Sequence, residues 1–174
     1  MKKRLKRAQL MGVPFVFIIS LIVAAAVVLF AVYAIRNFNC RQEQVLINTF
    51  IFDLKQEVEK AYYTTIGSQV TFSGTLPIEG CSNIKLICFA FPDKQKNNAG
   101  ISEDVWFEIS QYKGQNVQLF LYPASTLKDV GVQQAYNVRL LNVTQNPTCI
   151  QNKGDIELLF KNEGNYVLVE KWKA

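Results

Sequence analysis

The chain contains no histidine, so it lacks the side chain most often used near neutral pH as a general base, proton shuttle or metal ligand. It has no G-x-S-x-G elbow and no phosphate-cradling glycine loop, which removes the familiar signatures of hydrolases and nucleotide binders. Carboxylates are not paired for chemistry. Asp53 and Glu57 alternate with Lys55 and Lys60, as a solvated helix face does, and Glu103 and Asp104 adjoin in a polar stretch. Excess charge is also missing from most of the chain. The 19 Lys and Arg exceed the 14 Asp and Glu by five, and Lys2, Lys3, Arg4, Lys6 and Arg7 supply that whole difference. The remainder balances, so nucleic acid is not expected as a partner. No catalytic constellation stands out; no enzyme activity, cofactor or metal site is expected.

What the sequence does have is one long apolar run, residues 10–35, without a single charge. As a helix rising ~1.5 Å per residue, the part from Val13 onward covers roughly 35 Å, enough for a hydrocarbon core of ~30 Å. A backbone in lipid must satisfy its own polar groups, so the run is read as one transmembrane helix. The basic tail precedes it, and only Arg36 and Arg41 follow closely, so the positive-inside rule puts the N-terminus in the cytoplasm and the rest outside. A cleaved secretory signal would have a shorter apolar region and a better small-residue site than Ala31-Val32-Tyr33-Ala34. The expected organisation is a basic cytoplasmic tail over 1–9, a span over 10–36, an amphipathic helix over 37–67 and a β-rich extracytoplasmic domain over 68–174.

No Pro or Gly interrupts residues 36–66, and Ile47, Ile51, Leu54, Val58 and Ala61 recur at spacings of four and three. That stripe predicts a helix covering a core, closed by Gly67 at the C′ position. Beyond it, residues 69–72, 85–91, 105–109, 117–122, 136–143, 156–160 and 166–172 read as strands. Lys113-Gly114 and the stretch 162–165 read as hairpin turns, and 92–104 and 123–134 as long polar connections. The expected fold class is α+β: a mostly antiparallel sheet against the helix. Strand alternation places Trp106, Phe120 and Tyr122 together on the face away from the core, a candidate interaction patch unless a long loop covers them.

Four cysteines outside the cell imply bridges, with three pairings open. Following the chain up and down from the membrane brings Cys40, Cys81 and Cys149 to one end, where at least one bridge is expected. Cys88, in an apolar strand, is a further bridge candidate or a buried thiol. Asn142-Val143-Thr144 is a glycosylation sequon, although Asn142 shares strand parity with Val138 and Leu140. Residues 93–104 have oxygen side chains at calcium-loop spacing, but Asn98 stands at the position that requires Gly, so an ordinary polar loop is expected.

Lys6-Arg7-Ala8-Gln9, followed by the apolar run, resembles the processing signal of archaeal type IV pilins and archaellins. The resemblance implies a cut between Ala8 and Gln9, and the plan of apolar helix, amphipathic helix and β domain is similar too. Counted from Gln9, the fifth position is Val13, where that family usually carries Glu. The chain is also similar to small archaeal membrane proteins with one N-terminal span and an outer β domain. The expectation is therefore a membrane-anchored structural or interaction module at the cell surface. Its partners would be the lipid bilayer and other membrane or surface proteins, with homo-oligomers allowed; the alternative is a pilin-like subunit of a filament or secretion assembly.

Overall fold

The computed structural model describes the backbone of residues 5–171, and the side chains of 15–171 except Asp129. The chain divides into two units, Met1–Asn39 and Cys40–Ala174. Helix α1, Leu5–Tyr62, provides the first unit and opens the second. In the first unit Phe15, Phe17, Leu21, Val28 and Phe30 are all exposed, and the helix is long and apolar enough to cross a membrane, with a mean hydropathy of 3.2 over its best window.

The second unit is α+β. After α1 come β1 (Gln69–Thr75), β2 (Leu86–Phe89), α2 (Glu103–Ser110), β3 (Leu119–Tyr122), α3 (Ala124–Val130), β4 (Ala135–Tyr136), β5 (Leu141–Val143), β6 (Thr148–Gln151), β7 (Asp155–Asn162) and β8 (Val167–Lys171). Two four-stranded sheets form where one was expected, with orders β1-β7-β8-β5 and β4-β3-β2-β6. Every pairing is antiparallel except that of β5 with β8. Residues 136–143 do not make one strand but divide between the two sheets, with Leu140 at φ 67 at the crossing.

The stripe of α1 is buried as its spacing predicts: Ile47, Leu54, Val58 and Ala61 have no accessible surface, and Phe50 and Ile51 have almost none. It joins inward residues of both sheets, among them Phe72, Ile87, Leu121, Leu158 and Phe160, in one core. The second sheet is covered on its other face as well. Cys88 and Phe120 pack there against Val105 and Ile109 of α2. Being covered on both sides explains why β2 and β3 are unbroken apolar runs rather than alternating ones.

Residues 105–109 are therefore helix, not strand. Val105 and Ile109, four apart, share the buried face, whereas Phe107 between them is 66% exposed. The apolar-polar alternation was too short to separate the two periods. The segment 123–134, expected as a loop, holds α3, which ends at Gly131 in the left-handed region. The stretch 146–154 holds β6. Lys113-Gly114 joins α2 to β3 rather than making a hairpin, while 162–165 does join the antiparallel β7 and β8. Gly67 is not the C′ residue of α1, which stops at Tyr62. Thr64 Oγ1 donates back to the Ala61 carbonyl, and the Asn162 amide closes the helix end by donating to the Tyr62 and Thr64 carbonyls. Trp172, placed in the last strand by its pattern, lies outside the described residues.

Replacing Leu54 with Ala is expected to destabilise the protein by about 2–5 kcal/mol. Replacing Phe107 with Ser should change stability by less than about 0.5 kcal/mol, because the helix turns it to solvent. Urea unfolding of the two variants checks both; a large loss from Phe107→Ser would contradict the helical reading of α2.

Candidate functional site

Beyond Cys40, α1 carries a second seam. Gln42, Val45, Leu46, Thr49, Phe52 and Gln56 follow the same three-four spacing as the core stripe, carry no charge and are all exposed. Val45 is 64% and Phe52 65% exposed, so each leaves most of its apolar surface in water. Burying such a side chain against a partner is worth about 1.5–3 kcal/mol. This seam is the largest apolar feature left open on the second unit's helix.

Two covalent and polar links hold the start of this segment. Cys40 is bonded to Cys81 across 41 residues. In the chain-entropy picture a loop of that length is worth about 4 kcal/mol of stability. Next to it, the Glu43 carboxylate accepts the backbone N–H of Cys81 at 2.8 Å, and the N–H and hydroxyl of Ser82 at 2.9 Å each. Gly80, at φ 139, lets the chain pass this close, since any Cβ there would overlap the carboxylate. Glu43 therefore acts as a pin between α1 and the loop ahead of β2.

The other sequence candidates resolve differently. The Cys40–Cys81 bridge joins two of the three cysteines expected at one end. Cys149 is not with them. It lies on β6 directly opposite Cys88 on β2, and the two are bonded, so Cys88 is no free thiol. The register corrects the earlier placement: what reads as a loop around Cys149 is a strand neighbouring β2. Trp106, Phe120 and Tyr122 do come together, but as an interior cluster. Phe120 is 1% exposed and the other two are half-buried, because the segment carrying Trp106 folds as α2 over the sheet. The covered alternative describes Phe120, with α2 rather than a long loop lying over it.

Asn142 sits half-buried on β5, where its Oδ1 accepts the N–H of Val143, and Thr144 is exposed. Ala8 and Gln9 fall on the α1 backbone, as do Lys6 and Arg7, with their side chains outside the described residues; Lys2, Lys3 and Arg4 lie outside them altogether. In the stretch 93–104 several of the side-chain oxygens are engaged in hydrogen bonds or an ion pair. Asp93 accepts the Gly114 N–H, Asn97 accepts the Asn146 N–H, and Glu103 pairs with Lys96 at 2.6 Å. No cluster of metal-ligating side chains occurs among the described residues.

Two open clefts flank α1. One of ≈ 630 Å³ lies between α1 and β1; the other, of ≈ 590 Å³, is lined by Lys55, Glu59, Tyr62, Tyr63 and residues 137–140. Lys55 Nζ also stands 5.6 Å from the centre of the Tyr136 ring. Burial pushes the Tyr136 phenol above its ordinary pKa, an effect the Gln133 backbone partly offsets, and its oxygen has no hydrogen-bond partner among the described residues.

Sequence reasoning missed three asparagines that tie loops together, Asn152 and Asn162 buried and Asn98 half-buried. Asn98, Asn152 and Asn162 each accept the N–H of a glycine two residues on, while their amides donate to distant carbonyls. The repeated Asn-x-Gly was the available signal, because it is the local form of an Asx turn. Removing the Glu43 carboxylate (Glu43→Ala) is expected to cost about 1.5–3 kcal/mol in urea unfolding of the oxidised protein. Gly80→Ala should also lower the urea midpoint, and Glu59→Ala, exposed, should shift stability by under about 0.5 kcal/mol. No protein-family model, curated protein or solved structure matches this chain.

Proposed function

We propose that this chain is a single-pass membrane protein with its N-terminus in the cytoplasm, and that its α+β domain is an extracytoplasmic interaction module. The observation that carries the reading is the open, uncharged seam of α1. Its apolar residues are not needed by the domain's own core, which the opposite stripe already fills. Apolar rows of this kind on a helix are what partner helices and surfaces engage. Two disulfides, closing loops of 41 and 61 residues, support an oxidising compartment for the domain. The seam's partners are other membrane or cell-surface proteins, a second copy included.

Substituting Phe52 with Asp, or Val45 with Asp, should leave the domain folded and oxidised. It should also shift the protein in native gels of mildly solubilised membranes from a larger assembly to the size of a single chain. An unchanged assembly in both variants would refute the role of the seam. For topology, protease added to intact cells is expected to remove the C-terminal domain; a protected domain would overturn the orientation.

A second reading, a pilin-like subunit, is favoured by the 58-residue α1 itself, an apolar helix running on into the segment that packs on a β-rich domain. N-terminal sequencing of protein from native membranes separates the two. The anchor reading expects Met1 intact, and a mature start at Gln9 would establish processing of the pilin type instead.

A further inference from the structure

The free edge of β1 lies beside the segment of α1 that carries the seam, with Gln56 bordering both. β1 is an outer strand of its sheet, paired on one side with β7 over seven residues without a bulge. Asn162 N–H donates to the Ser68 carbonyl, and Leu76 N–H to the Gly154 carbonyl. These bonds fix the phase of the ladder, so Val70, Phe72 and Gly74 turn their backbone groups to β7. Gln69, Thr71, Ser73 and Thr75 therefore turn theirs outward, and among the described residues no strand pairs with them. The result is a row of alternating donors and acceptors roughly 20 Å long.

Edges of this length are normally guarded by lysine, proline or a bulge. β1, Gln-Val-Thr-Phe-Ser-Gly-Thr, has none of these. Instead it borders the ≈ 630 Å³ cleft whose other wall is α1, with Asp53, Gln56, Glu57 and Lys60. A sheet edge beside a helix wall is the arrangement in which an extended peptide adds as a further strand. Only a polypeptide in extended form offers carbonyls and N–H groups at the matching repeat.

The wall also selects charge. Lys60 bonds Glu57 at 3.1 Å, and Asp53 has no ion-pair partner among the described residues, so the wall is left net negative. Two copies pairing their β1 edges about a two-fold axis would set these walls face to face, acid against acid. We infer that the β1 edge and the α1 wall form a docking groove for an extended segment of another polypeptide carrying a basic side chain.

The probe is a blocked heptapeptide of alternating threonine and valine with a central lysine, added to the full-length protein in lipid nanodiscs. Amide exchange at Thr71, Ser73 and Thr75 should slow at least tenfold at saturation, with Val70 and Phe72 unchanged. The same peptide with its central backbone amides methylated should bind at least tenfold more weakly, and Asp53→Lys should weaken the unmodified peptide severalfold. Ser73→Pro removes an outward N–H and leaves the β7 ladder intact, so it should keep native disulfides and lose the peptide. Absence of protection at millimolar peptide, or equal binding of the methylated peptide, overturns the inference, and the methylated peptide decides even if Ser73→Pro misfolds. Protection that rises with protein concentration alone, together with a sedimenting dimer, overturns it in favour of a second copy.

Discussion

The larger core of the second unit rests on one contact, the burial of a single stripe of α1 against the inner faces of two sheets. Ile47, Leu54, Val58 and Ala61 lose all their accessible surface there, in one core with residues of both sheets. The contact is non-directional and by itself tolerates sliding. Directional elements remove that freedom. Glu43 and the Cys40–Cys81 bridge fix one end of the segment to the loop before β2, and Asn162 fixes the other end through the last carbonyls of the helix. Apolar area supplies the driving force, and a few polar and covalent links supply the register.

Once the stripe is committed inward, the rest of α1 and the sheet edge become the available surface. The seam through Val45 and Phe52 and the groove along β1 adjoin on the same helix segment, with Gln56 bordering both. Their chemistries differ: one offers apolar area, the other backbone hydrogen bonds. A domain built this way presents two surfaces of different chemistry on one helix segment.

The parts of the fold legible in the sequence were those with long, uniform periods. The charge-free run and the stripe of α1 repeat over enough residues to define their own geometry, and the 162–165 hairpin announced itself by composition. Residues 105–109 failed because a five-residue alternation also satisfies a helical spacing of four. α3 was lost because helices of about seven residues barely accumulate a period. Cys88 and Cys149 could not be paired by reading, since their meeting depends on a strand, β6, that looks like a loop. Glu43 has no local signature; its role depends on Gly80, 37 residues away in the sequence. The β1 edge was invisible for a similar reason, because whether a strand lies outermost is settled by the order of the whole sheet.

The pairing of β1 with β7, and the closure of α1 by Asn162, join residues roughly ninety positions apart. A ribosome delivering this chain exposes β1 long before β7 exists. The first sheet has no stable intermediate made from its early part alone, since three of its four strands lie beyond residue 140. Folding of the first sheet therefore waits on residues 141–171, and the part of the α1 stripe that this sheet covers stays open until they are made. Until then that apolar surface is open to contact with neighbouring chains.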